Sequence, residues 1–243
     1  TINDGRVISL IHNYLNAGVI SGGVFEKTET GMPEGGPLSP LLSNVMLNEL
    51  DRELERRGHR FVRYADDCMI FCKSRKSAER TLRNIIPFIE GKLYLKVNRK
   101  KTSVAHISKV KYLGYAFYRY KGKCRFRVHQ KSVAKMKDKI RELTKRSNGW
   151  GNEYRAMKLT QFVRGWVNYF SLADMKGLLE KTDEWLRHKI RAVYWKQWKK
   201  IKTRYRMIKK YGLPKLKLHE MANCRKRVWR SALMIKSELT IQE

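Results

Sequence analysis

Phe61-Val62-Arg63-Tyr64-Ala65-Asp66-Asp67-Cys68-Met69-Ile70-Phe71-Cys72 is a pair of apolar runs interrupted by two adjacent carboxylates. Two β-strands joined by a tight turn give that pattern. Along a regular strand Asp66 and Asp67 would face opposite sides, whereas at a turn both project from the hairpin tip. Acids set into an apolar hairpin are costly unless a cation meets them. A divalent metal is one candidate, and a Lys or Arg from a chain of formal net charge +32 is the other. A solvated turn would also leave two acids side by side, so the flanking sequence decides.

Upstream, residues 4–17 place Val7, Ile8, Leu10, Ile11 and Leu15 at helical spacing, and residues 24–30 read as a short strand. Gly31-Met32-Pro33-Glu34-Gly35-Gly36-Pro37-Leu38-Ser39-Pro40 is too rich in Gly and Pro to be regular. Ser39 and Pro40 then suit the N-cap and first turn of a helix through Leu41, Leu42, Val45, Met46, Leu50 and Leu54. Glycines ahead of a helix start let the backbone approach a ligand, and the free N–H groups there attract phosphate.

Downstream, residues 77–92 form a helix that Pro87 should kink or break. Leu93, Leu95 and Val97 alternate as a strand, and Arg99, Lys100 and Lys101 after it suit either a triphosphate or solvent. Residues 110–120 read as strand, with Gly114 marking a bulge or the close approach of another backbone, and residues 121–123 turn it into a further strand over 124–128. From about residue 130 the chain becomes helical, aromatic and basic: helices over 130–146 and 152–170, a long stretch from Leu178 past Trp198, and one more helix over 218–234 before a loose end. The tryptophans recur at helical spacing and are assigned to a core, which leaves the interleaved lysines and arginines as the exposed face. The fold class is α+β, an antiparallel sheet with packed helices followed by an all-α basic domain.

The 243 residues suit one large domain or two small ones, and no apolar run reaches membrane-spanning length. Thr1-Ile2-Asn3-Asp4 has neither Met nor a signal-peptide pattern and reads as the start of a fragment. Cys68, Cys72, Cys124 and Cys224 lack zinc spacing, which suits a reduced, intracellular protein, with Cys68 and Cys72 as small core residues. Charge is uneven: residues 1–118 carry a net +7 and residues 119–243 a net +25. Such a field points to a polyanion partner, with counterion release supplying much of the affinity.

Tyr64-Ala65-Asp66-Asp67 between apolar strands resembles the catalytic hairpin of reverse transcriptases. Residues 31–40 followed by Leu41-Leu42-Ser43-Asn44 resemble the block that precedes that hairpin in group II intron reverse transcriptases. Asn98, Lys101 and Thr102, then Tyr112-Leu113-Gly114-Tyr115, resemble the next two blocks in order. Arg164-Gly165-Trp166-Val167-Asn168-Tyr169-Phe170, Trp185-Leu186-Arg187 and Trp195-Lys196-Gln197-Trp198-Lys199-Lys200 resemble the thumb, or maturase, domain of the same bacterial family. The resemblance covers roughly residues 1–212 and implies a C-terminal part of a polymerase palm (1–128), a thumb/maturase domain (129–212) and a basic extension (213–243).

It implies RNA-directed DNA synthesis with a maturase role in intron splicing and mobility, in the cytoplasm, on group II intron RNA, an RNA template with a DNA primer, and dNTPs. Asp66 and Asp67 would hold two magnesium ions. Tyr64 and Ala65 would lie at the primer end, Glu34, Gly35 and Gly36 near the incoming nucleotide, and Lys101 at its triphosphate. Leu113 and Gly114 would hold the primer strand. Arg164, Lys189, Arg191, Lys196, Lys199 and Lys200 would contact RNA. Glu34 stands where the family usually carries Gln, and a carboxylate there repels a triphosphate. The family's other metal-binding Asp lies on a strand upstream of these residues, so the chain alone is not expected to polymerise. Residues 213–243 carry no His/Asn/Cys cluster of a nuclease. The alternative is an RNA-binding maturase whose palm performs no synthesis.

Overall fold

The computed structural model describes residues 2–21, 23–26, 36–210 and 214–239. The chain divides into two compact units, residues 1–105 and 106–243. The first unit runs α1 (Gly5–Asn16), β1 (Val19–Ser21), β2 (Val24–Glu26), α2 (Ser39–Arg56), β3 (Arg60–Tyr64), β4 (Asp67–Phe71) and α3 (Arg75–Gly91). The second runs β5 (Lys111–Tyr112), β6 (Tyr115–Tyr120), β7 (Lys123–Val128), α4 (Gln130–Leu143), α5 (Asn152–Tyr169), α6 (Lys176–Gln197), α7 (Ile201–Lys209), α8 (Lys215–Ala222) and α9 (Val228–Leu239). The α+β class holds, but among the described residues the strands form three antiparallel sheets of two, two and three strands rather than one.

In the first unit α2 and α3 trap Leu50, Leu54, Ile85 and Leu93 between them, and Leu47, Phe61, Ile70 and Phe88 close over that core. Phe61 and Ile70 are cross-strand partners in the β3–β4 hairpin, so one pair seats the hairpin on the helices. The hairpin's outer face stays in solvent: Val62, Tyr64 and Phe71 are exposed, and it is therefore half-buried rather than enclosed on both sides. Cys68 is exposed too, against its assignment to the core, while Cys72 is half-buried with its thiol toward Thr81.

Several element boundaries differ from the sequence reading. Helix α2 starts at Ser39 with Leu38 at the N-cap and no side-chain cap, although Pro40 keeps its first-turn place. The α3 helix begins two residues early, capped by Ser74 accepting from the Ser77 N–H, and Pro87 passes through without ending it. Leu93, Leu95 and Val97 do alternate inward, yet 93–97 is not a strand, because it pairs with no strand among the described residues. The long helix expected beyond Leu178 stops at Gln197, and α7 restarts at Ile201.

In the second unit Trp195 is buried, Trp150, Trp166, Trp185 and Trp198 are half-buried, and Trp229 is exposed, so the assignment of the tryptophans to a core holds fully for Trp195 alone. Trp195 packs with Ile208, Leu218 and Met221, with Trp198, Tyr205, Cys224 and Val228 around them. Arg204 lies over the Trp195 ring, 4.7 Å from its centre, and its Nε donates to the Trp198 carbonyl. Residues 215–239 therefore form two helices, α8 and α9, with α8 completing this core, where one helix over 218–234 was expected; the expected loose end falls on residues 240–243, outside the described residues. Tyr118 and Arg125 on β6 and β7 both meet Asp174 just before α6, which ties the three-stranded sheet to the helical part of its own unit.

Candidate active site

A two-residue turn, Ala65-Asp66, joins β3 to β4, with Tyr64 opposite Asp67. Ala65 has φ of 51°, the left-handed region that an L-residue enters at a cost of roughly 1–3 kcal/mol. The turn leaves Asp66 and Asp67 both exposed, with Tyr64 beside them 64% exposed. Among the described residues neither carboxylate makes an ion pair or a hydrogen bond. Beside them the Cys68 thiol is pushed up to about 11, chiefly by desolvation, with the Asp51 carboxylate adding and Arg63 opposing.

The cation that the sequence offered goes elsewhere. Strand alternation puts Arg63 on the same side as Phe61, facing α2. Asn44, Leu47, Asp51 and Leu54 lie three, four and three residues apart, hence on one helix face. There the Arg63 guanidinium grips Asp51 through two bonds, Nε to Oδ1 at 2.8 Å and Nη2 to Oδ2 at 2.5 Å. Its Nη1 donates both to Asn44 Oδ1 at 2.8 Å and to the carbonyl of Ala65 at 2.9 Å. A hydrogen bond to a charged group contributes about 1.5–3 kcal/mol, comparable with the cost of the left-handed Ala65 it braces. The sequence reading assigned none of these three residues. The available signal was the inward register of Arg63 together with acceptors seven apart on the preceding helix.

The other assigned positions are placed as follows. Glu34 and Gly35 lie outside the described residues. Gly36 has the Tyr14 hydroxyl of α1 where a Cβ would sit, 2.1 Å away, so a helix contact of its own accounts for the missing side chain. Lys101 is exposed in a turn that Asn98 closes, its N–H bonding both the Asn98 carbonyl and Oδ1.

Leu113 and Gly114 are the turn between β5 and β6, both with positive φ (48° and 83°), and not a bulge within one strand. This turn is knitted to two helices: Tyr169 at the end of α5 donates to the Leu113 carbonyl, and Ser132 in the first turn of α4 donates to the Gly114 carbonyl. A Cβ on Gly114 would also meet the Phe170 ring at 3.0 Å. Gly114→Ala should therefore destabilise the second unit by roughly 1–3 kcal/mol in urea unfolding. A midpoint equal to wild type would contradict it.

Of the basic positions, Arg164, Lys196, Lys199 and Lys200 are exposed. Lys189 and Arg191 are half-buried. Burial first, then the nearby Arg141 and Arg146, pull Lys189 below its ordinary range, and its ammonium lies 5.4 Å from the ring centres of both Trp185 and Trp229. Arg191 is lowered by burial and by Arg187.

Asp66 and Asp67 supply hard oxygen donors, the chemistry that magnesium requires. Among the described residues no group of three His, Cys, Asp or Glu surrounds a common point, so substrate phosphates, water or a further carboxylate would complete such a site.

Two families match in succession. The reverse transcriptase (RNA-dependent DNA polymerase) family matches residues 3–117, and the group II intron maturase-specific domain matches residues 133–212. Protein YkfC of Escherichia coli K12 is 30% identical over 141 residues, which are 44% of this chain and 37% of that one. Group II intron-encoded protein LtrA of Lactococcus lactis subsp. cremoris is 24% identical, across 71% of this chain and 45% of its own length. The chain thus spans less than half the length of either relative. With both matches in the order that the two units present them, the chain belongs to the group II intron reverse transcriptase/maturase family.

Proposed function

We propose that this chain is the part of an RNA-directed DNA polymerase that carries the paired catalytic carboxylates and the thumb, acting also as a maturase on group II intron RNA. The observation that carries this reading is the exposed Asp66–Asp67 pair, unpartnered among the described residues, on a hairpin whose turn is braced from α2. A palm used only for binding has no need of two clustered acids. Reverse transcriptases generally use divalent metal ions, and Asp66 and Asp67 would hold two magnesium ions. Magnesium bound there supplies Lewis acidity toward the primer 3′-hydroxyl and the leaving pyrophosphate.

The chain's own residues do the rest. Tyr64 and Ala65 shape the primer end, where the small Ala leaves room, and Gly35 and Gly36 let backbone approach the incoming dNTP. Lys101 neutralises the triphosphate or gives a proton to the departing pyrophosphate. Leu113 and Gly114 hold the primer strand. Arg164, Lys196, Lys199 and Lys200 line up on RNA backbone, with Lys189 and Arg191 contributing from half-buried positions. The palm function falls in residues 1–128 and the thumb function in 129–212, so the primer-holding turn packs with the thumb's helices in the unit that starts at 106. The protein would work in the bacterial cytoplasm, bound to nucleic acid. Among the described residues no helix is long and apolar enough to cross a membrane.

The test is extension of a DNA primer on an RNA template with dNTPs and magnesium, using the natural full-length protein. Extension supports the reading. Tight binding of structured intron RNA without extension would favour a splicing cofactor with a silent palm. Binding is also expected to be salt-steep, because residues 119–243 carry a net +25. Six phosphate contacts would lower affinity by about a thousandfold between 50 and 200 mM salt. A flat response in a filter-binding titration would remove the basic-thumb argument.

A further inference from the structure

We propose that Arg63 is a positioning residue for the carboxylate turn, a role that rests on the polymerase reading of Asp66 and Asp67. Arg63 bonds both α2 and the turn itself: its Nη1 reaches Asn44 Oδ1 and the Ala65 carbonyl, while Nε and Nη2 are locked on Asp51. The two Asp51 bonds fix the plane of the guanidinium, and the fixed plane aims Nη1 at the turn. The accepting carbonyl belongs to the peptide between Ala65 and Asp66, so this bond sets the orientation of the backbone from which the Asp66 side chain springs. Ala65 holds a left-handed φ that its own side chain disfavours, and the brace opposes its relaxation.

The charge of Arg63 is absorbed by Asp51, with the pair's side chains only 12% and 22% exposed. Arg63 therefore acts on the turn through the Ala65 carbonyl while its charge is paired with Asp51. The geometry also sets a residue-type requirement. A lysine in place of Arg63 supplies a charge for Asp51 but has no planar fork that can serve Asp51, Asn44 and the Ala65 carbonyl together.

The test compares wild type, Arg63→Lys, Asn44→Ala and Asp66→Ala in the natural full-length protein. It reads primer extension, melting temperature, structured-RNA affinity, and deuterium uptake of residues 60–72 without magnesium. Arg63→Lys should lower kcat about 10- to 100-fold, since a misplacement near 1 Å costs on that order. The dNTP KM and RNA affinity should stay within about twofold of wild type, while uptake at the turn rises and α3 keeps its protection. Asn44→Ala, which spares the Asp51 fork, should show the same pattern in weaker form even if Arg63→Lys folds poorly. Wild-type kcat and wild-type uptake in both variants, with Asp66→Ala inactive, would overturn the positioning role and leave the polymerase reading standing. A parallel fall in kcat, RNA affinity and melting temperature in both variants would overturn it as well, reducing Arg63 to a fold contact. Full extension by Asp66→Ala would instead overturn the polymerase reading on which this role depends.

Discussion

Asp66→Ala is expected to lower primer extension by about a thousandfold or more while changing affinity for structured RNA by less than about twofold. Loss of a ligand to the reacting metal removes several kcal/mol of transition-state stabilisation, and each 1.36 kcal/mol is about tenfold in rate. Under the proposed function RNA affinity would reside elsewhere, in the basic half with net +25, and one carboxylate fewer makes the first half only slightly more positive. The substitution should also be silent in stability. Asp66 is exposed and makes no bond or ion pair among the described residues, and such surface changes stay within about 0.5 kcal/mol. Extension and filter binding on one preparation check the separation. Equal losses in both would show that palm and thumb do not divide the work in this way.

Trp195→Ala is expected to carry the largest cost in stability, about 3–5 kcal/mol. Trp195 is 2% exposed and is the residue on which α6, α7 and α8 converge through Ile208, Leu218 and Met221. Truncation leaves a cavity and also strips the aromatic face from the Arg204 guanidinium, whose Nε stays bonded to the Trp198 carbonyl. With domain stabilities of about 5–15 kcal/mol, much of the second unit's margin would go. Urea unfolding of wild type and variant measures it, and amide exchange should place the damage in residues 106–239. A shift below about 1 kcal/mol would mean that the C-terminal helices contribute little to this core.

The hairpin was legible because two signals coincided, β-branched and aromatic runs on either side and a gap that fits a two-residue turn. Segments that depend on a distant partner were not. Residues 93–97 have a strand's alternation because Leu93 and Leu95 pack on α2 and α3, yet alternation records a buried side and not a ladder. Gly114 was read as a bulge or a close approach of another backbone within one strand. Only the structure reveals that Leu113 shares its left-handed backbone and that the pair reverses the chain.

On α6 the helical period carries Lys189 and Arg191 toward the side of buried His188 and Ala192, so charge alone overstated their exposure. Arg63 is the clearest case. A cation next to an acidic turn suggests a local partner, but strand geometry turns it away from Asp66 and Asp67 toward acceptors 12 and 19 residues earlier. The family resemblance supplied what periodicity could not, a family, and the matches over residues 3–117 and 133–212 agree with that membership.

The central claim, that this carboxylate hairpin serves template-directed synthesis, is tested most directly by single-nucleotide incorporation opposite a defined RNA base. The natural full-length protein, a DNA primer annealed to that RNA and magnesium are offered each of the four dNTPs separately. The account predicts addition of the complementary nucleotide alone, abolished by EDTA and by Asp66→Ala. No incorporation, or incorporation indifferent to the template base, would contradict it.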